Sequence, residues 1–256
     1  MSLVETDWLK KNISSVKIID CSWHMPQTKR SGIEEYKNQH IPNSIFFDLD
    51  ANSKKEIDLP HMLVNQSDWG QIVSKMGVKN EDEIVIYDNS DVISSCRCWF
   101  NFIYFGHNPK LVHVLNGGLK KWIKENNEVT KNIINIQQSN YKSFEKKELV
   151  KNKKSINQNI NEQKFKVIDA RSKERFEGKV QEPRKGLRSG SIKNSFCIPF
   201  DQCLNENKTF KSKENLKLIF ETCLENINEK NIVFSCGSGV TACVLALAYS
   251  LINGKY

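Results

Sequence analysis

None of the eight cysteines forms a Cys-x-x-Cys pair, and no cysteine pair is matched by histidines at a zinc-ligand spacing. The closest two, Cys96 and Cys98, are two positions apart, and side chains at that spacing diverge on a helix or a strand. No metal site is expected. Neither a P-loop nor a Gly-x-Gly-x-x-Gly run occurs, so the usual nucleotide cradles are excluded. No apolar run approaches the about 18–20 residues that a membrane span needs, and no membrane association is expected. The segment Met1 to Asp7 has no basic start followed by an apolar core. The expectation is a cytosolic protein whose thiols stay reduced.

What remains is a globular composition, with 39% hydrophobic and 27% charged residues over 256 positions. That length holds one large domain or two of about 100–130 residues. The net charge is +8, but lysine is scattered among asparagine and glutamate rather than massed in one arm. This is the pattern of a solvated surface, and no nucleic-acid partner is expected. A positive field does suit the gathering of a small anion.

Two stretches of the chain read alike. Val16-Lys-Ile-Ile-Asp20 and Phe165-Lys-Val-Ile-Asp169 are short apolar segments closed by aspartate. His40–Asp48 and Ser189–Asp201 each read as a turn leading into a buried strand. Trp69–Met76 and Leu216–Leu224 carry apolar residues at helical spacing. Glu83–Asp88 then aligns with Asn231–Cys236. Strands alternating with helices predict parallel sheets covered by helices. The expected fold is α/β, with two tandem domains at 1–127 and 165–256 and, at 128–164, a polar linker rich in Asn, Gln, Lys and Ser that is expected to be partly ordered against one domain. Copy one continues through Lys110–Trp122 as a strand and a helix start. Copy two has no counterpart, so it is expected to lack its last strand and helix.

The chemistry concentrates at Cys236-Gly-Ser-Gly-Val-Thr-Ala. An apolar strand feeds into the cysteine, and an apolar helical stretch from Val240 to Leu251 follows. A thiol at such a turn is surrounded by backbone N–H groups and the positive end of a helix dipole, which favour a thiolate. The competing reading is an ordinary buried cysteine. Copy one has Asp88 at the same position, so one chemistry cannot run in both loops and copy one is expected to be catalytically degenerate. Cys243, two helical turns on, reads as core, as do Cys197 and Cys203.

These residues resemble the rhodanese superfamily, and specifically tandem-domain 3-mercaptopyruvate sulfurtransferases. The resemblance extends to Phe47-Asp-Leu-Asp50, Leu59-Pro-His-Met-Leu63, Phe105-Gly-His107 and Val114–Gly118 in copy one. In copy two it extends to Asp169-Ala-Arg171, Arg175-Phe-Glu-Gly178 and Glu182-Pro-Arg184. It implies an enzyme without cofactor or metal, in which Cys236 takes sulfur from the small anionic donor 3-mercaptopyruvate as a persulfide and releases pyruvate. A thiol such as thioredoxin, a small thiol, or cyanide then accepts the sulfur. Arg175 and Arg184 are implied to hold the donor's carboxylate and keto oxygens, as planar guanidinium groups do well. Asp50, His61 and Ser238 are implied to move protons. Gly237, Gly239, Val240 and Thr241 are implied to serve through their backbone amides. Thiosulfate-preferring relatives carry Arg and Lys where this chain has Gly237 and Ser238. A neutral loop suits a donor whose charge lies away from its sulfur. Thiosulfate as donor, or a non-catalytic sulfur-binding module, remain the alternatives. A Cys-based phosphatase is disfavoured because the residue six after Cys236 is Ala242 rather than arginine.

Overall fold

Each apolar segment closed by aspartate forms a strand whose C-terminal end meets a loop. The structure, a computed structural model, describes residues 2–184, 186–227 and 231–254. The expected outer ends at residues 1 and 256 lie outside the described residues. The chain divides into two compact units, Met1–Lys147 with Asn207–Thr209, and Glu148–Glu206 with Phe210–Tyr256.

Unit 1 runs β1 (Leu3–Val4), α1 (Thr6–Asn12), β2 (Lys17–Asp20), α2 (Gly32–Asn38), β3 (Ser44–Phe46), α3 (Gln66–Lys75), β4 (Ile84–Tyr87), α4 (Ser95–Tyr104), β5 (Val112–Leu115) and α5 (Gly118–Lys124). Its five strands lie parallel in the order β1-β5-β4-β2-β3. Every residue of β4 and β5 is buried, as expected for a parallel sheet with both faces covered. Trp69 of α3 anchors one packing layer, stacked on Phe105 at 4.8 Å with the edge of Phe102 at 5.3 Å.

Unit 2 runs α6 (Lys153–Glu162), β6 (Lys166–Asp169), α7 (Lys173–Phe176), β7 (Phe196–Cys197), α8 (Lys213–Glu221), β8 (Ile232–Ser235) and α9 (Thr241–Asn253). Its sheet has three parallel strands in the order β7-β6-β8. Among the described residues no strand or helix follows α9. β8 pairs with β6 along one edge only, and all four of its residues are partly exposed. Phe220 and Tyr249 pack on Phe234 of β8 and carry much of this smaller core. No helix among the described residues is long and apolar enough to cross a membrane.

The polar stretch 128–164 is ordered in two halves. Its first half is laid onto unit 1 by backbone hydrogen bonds from Ser139 to Ser74, Phe144 to Phe105 and Lys146 to Tyr104. Gly77 and Gly106 make room for it. Both have positive φ, and a Cβ on either would stand within 3 Å of the carbonyl oxygen of Gln137 or Phe144. Its second half forms α6, started by the Asn152 side chain accepting from the Ser155 amide. Asn159 then bonds both backbone groups of Phe165 just before β6. The asparagines that read as linker composition here satisfy backbone groups.

Candidate active site

β8 ends at Ser235, α9 begins at Thr241, and Cys236 opens the turn between them. The Gly239 amide donates to Cys236 Sγ at 3.1 Å. Gly239 has φ +78, a conformation that costs glycine little and lets the turn fold back over the sulfur. Cys243, on the first turn of α9, donates its thiol to the Gly239 carbonyl at 3.1 Å. It is buried, as expected, and it also supports the loop from below. Cys236 is half-buried, whereas Cys203 is fully buried and burial pushes its thiol up to about 12. Cys197 is half-buried and is pushed to about 11, chiefly by burial.

Both expected arginines meet this loop. Arg184 Nη2 donates to the Gly237 carbonyl. Arg175 Nη2 comes so close that a Cβ on Gly237 would stand 3.3 Å from it. A side chain at position 237 would crowd that guanidinium, so glycine here serves the arginine as well as the turn. Ser238, Val240 and Thr241 complete the loop, with Val240 at the entry to α9. Arg175 is not a surface group. Its Nε and Nη2 donate to Glu182 at 3.1 and 2.6 Å. Glu182 also accepts from Arg171 Nη1 at 2.8 Å, and Arg171 in turn grips Asp169 at the end of β6. The sequence reading missed Glu182 and Arg171 as site residues. Both sit inside motifs already marked, Asp169-Ala-Arg171 and Glu182-Pro-Arg184, which was the available signal.

Asp50 and His61 belong to unit 1, and they pair. His61 Nε2 lies 2.9 Å from Asp50 Oδ1, and Trp23 Nε1 donates to Asp50 Oδ2 at 2.9 Å. The hydrogen bond with His61 is the main influence holding the Asp50 carboxyl below its ordinary range. His61 is buried, has φ +58, and receives Arg97 Nη2 on its carbonyl at 2.6 Å. A non-glycine residue in that backbone region is held there by its surroundings.

Asp88 occupies in unit 1 the place of Cys236 in unit 2, directly after β4. Its carboxylate accepts from the amides of Ser90 at 2.8 Å and Ser95 at 2.9 Å, the latter opening α4. The group is buried, and burial raises its pKa.

A half-buried thiol at a strand-to-helix turn on a repeated α/β fold, with an amide on its sulfur and two guanidinium groups at its loop, is an arrangement suited to a nucleophilic cysteine. The rhodanese-like domain model matches residues 5–125 and 152–254, and the chain belongs to that family. It is 39% identical to thiosulfate/3-mercaptopyruvate sulfurtransferase 1, mitochondrial, of Arabidopsis thaliana, across 96% of this chain and 70% of that protein. It is 32% identical to the 3-mercaptopyruvate sulfurtransferase of Mus musculus, across 99% of this chain and 87% of that protein. Among solved structures it resembles SseA from Escherichia coli, described as a 3-mercaptopyruvate sulfotransferase with the rhodanese fold. The TM-score is 0.88 at 29% identity, over 98% of this chain and 94% of that one.

Proposed function

We propose that this chain is a sulfurtransferase that moves sulfur from 3-mercaptopyruvate to a thiol or to cyanide through a persulfide on Cys236. The Cys236 thiolate attacks the donor sulfur, and the new S–S bond forms as the donor's C–S bond breaks. The bonding pair leaves on carbon as the enolate of pyruvate, which takes up a proton to become pyruvate. An acceptor thiolate then attacks the outer sulfur and carries it away as its own persulfide, restoring Cys236, and cyanide leaves as thiocyanate. Arg175 and Arg184 hold the donor's carboxylate and keto oxygens. The amides of Gly237, Gly239, Val240 and Thr241 stabilise charge on the sulfurs. Ser238 handles the proton that the enolate needs, and the resemblance also names His61 and Asp50 of unit 1 for proton movement. Unit 1 has no sulfur chemistry of its own. The acceptor is a small thiol or thioredoxin in a reducing, cytosolic setting.

The observation that carries this reading is the Gly239 amide on Cys236 Sγ, in a loop that both arginines meet. The absence of cations at positions 237 and 238 favours 3-mercaptopyruvate over thiosulfate. Thiosulfate is a dianion whose charge sits against the sulfur to be transferred, and a neutral loop offers it less. The test is pyruvate release from 3-mercaptopyruvate with a dithiol acceptor. Steady release that falls by about 10³-fold or more in Cys236→Ser is expected. No release from folded wild-type protein, or release that survives the substitution, overturns the reading.

A further inference from the structure

Unit 2 contains an ion-pair chain of which the reaction as described uses only the last member, Arg175. It begins at the C-terminal end of β6. Asp169 accepts from Arg171 Nε at 3.0 Å and from its Nη2 at 2.6 Å. Arg171 Nη2 also donates to the Gly190 carbonyl at 2.9 Å, and its Nη1 reaches Glu182 Oε1 at 2.8 Å. Glu182 then takes Arg175 in a two-point fork, Nε on Oε1 and Nη2 on Oε2. The side chain of Glu182 is only 5% exposed, that of Arg171 11%, and that of Arg175 24%. The chain thus grows more accessible as it approaches the Cys236 loop. The guanidinium of Arg175 keeps the Glu182 carboxyl below its ordinary range.

Arg175 needs this support. It projects from α7, a helix of four residues followed by Gly178 at φ +74. A single helical turn has little stability of its own, and a free arginine side chain samples many rotamers. Glu182 occupies the Nε–Nη2 edge, which fixes the plane of the guanidinium beside Gly237. The Nη1 group keeps no protein partner among the described residues. A fork that holds one edge and leaves a further donor group presents the cation in one orientation rather than merely neutralising it.

We propose that Glu182 is a positioning residue for donor binding: backed by Arg171, it clamps Arg175 against the Cys236 loop so that the guanidinium is preset for the donor's carboxylate. This rests on the sulfurtransferase reading above. Glu182 touches neither the donor nor the sulfur. Its effect belongs in donor affinity, with the chemical step at Cys236 left alone.

The experiment compares wild type, Glu182→Gln, Arg175→Gln and the double variant. Pyruvate release is measured against 3-mercaptopyruvate concentration, and alkylation of Cys236 is measured with the neutral reagent iodoacetamide. Glu182→Gln is expected to raise KM about tenfold or more, the cost of a lost charge-assisted hydrogen bond. kcat should stay within about threefold and the alkylation rate should not change. The double variant should be no worse than Arg175→Gln alone, since both act through one guanidinium. Glu182→Asp, which keeps the charge but withdraws it by one methylene, should also raise KM, and it serves if the glutamine variant does not fold. Unchanged KM, equal loss in kcat, altered alkylation, or additive losses in the double variant would each overturn the positioning role. An inactive wild type would overturn the sulfurtransferase reading itself. A wild-type KM in Arg175→Gln would overturn the role of Arg175. Those two failures are separate from a failure confined to Glu182.

Discussion

Asp88 and Cys236 stand at the same point of two copies of one fold, and they spend their surroundings differently. Each follows a strand and precedes a helix, but β4 is central in its sheet whereas β8 lies at the edge of the three described strands. In unit 1 the carboxylate accepts two amides of its own loop and is buried, so the anion site is filled by the protein itself. In unit 2 the Gly239 amide reaches the sulfur, the residue is half-buried, and two arginines come to the loop. The same contrast runs through the aspartates that close the first strand of each repeat. Asp169 is paired with Arg171, whereas Asp20 has the hydroxyl of Ser22 and the negative charge of Asp88 nearby. Burial, above all, pushes Asp20 up to about 7. Even the turn persists in unit 1. Counting back from the helix starts, Ile93 with φ +50 stands where unit 2 has Gly239 with φ +78. The lesson is that the strand–loop–helix geometry is a scaffold. What sits at its start differs: a carboxylate that takes the Ser90 and Ser95 amides in unit 1, a thiol that takes the Gly239 amide in unit 2.

The largest expected effect lies in unit 1. The folded pKa of Asp20, about 7, exceeds the ordinary 3.8. The folded protein therefore binds a proton that the unfolded chain has released between about pH 4 and 7. Stability is fully present below that window and is lost as pH rises through it, by about 4 kcal/mol in total. All five tryptophans, Trp8, Trp23, Trp69, Trp99 and Trp122, lie in unit 1, so their fluorescence during urea unfolding isolates it. Asp20→Asn should flatten the decline between pH 5 and 8. Parallel curves for the two proteins would contradict this origin of the pH dependence.

Moving the thiol tests the comparison more directly. Asp88→Cys in a Cys236→Ser background should restore no pyruvate release, because Arg30, the arginine that meets that loop at the Asn89 carbonyl, is already forked by Glu35 and faces Asp91. It should also cost about 2 kcal/mol of unit 1 stability, since the Ser90 and Ser95 amides lose their carboxylate. Restored turnover would show that the loop alone suffices. A smaller effect is expected at Arg184. Arg184→Gln should raise KM for 3-mercaptopyruvate about tenfold with Cys236 still open to alkylation. An unchanged KM would remove Arg184 from donor binding.

Much of this was legible in the chain. The repeat marked β2 with β6, β4 with β8, and the opposed positions 88 and 236, because short apolar runs closed by aspartate are local signals. The resemblance named Asp50 and His61 together with Ser238 for moving protons; that His61 and Asp50, eleven positions apart in a turn-rich segment, hydrogen-bond to each other comes from the structure. The clamp of Glu182 on Arg175 was not read. An ion pair between irregular segments leaves no periodicity, and composition shows only scattered charges. How the stretch 128–164 is ordered was not legible for a related reason. Polar residues there bond backbone groups of α3, α4 and β6, and their role depends on neighbours far away in the chain. The two-residue strand β1 is too short to carry any pattern of its own.

The most direct test of the contrast is where sulfur resides after one half-reaction. The protein is exposed to 3-mercaptopyruvate without an acceptor, then digested under non-reducing conditions and mapped by mass spectrometry. The account predicts one added sulfur on the peptide containing Cys236, none on the peptides carrying Cys21, Cys96 or Cys98, and none anywhere in Cys236→Ser. Added sulfur on a unit 1 cysteine, or an unmodified Cys236 in protein that releases pyruvate, would contradict it.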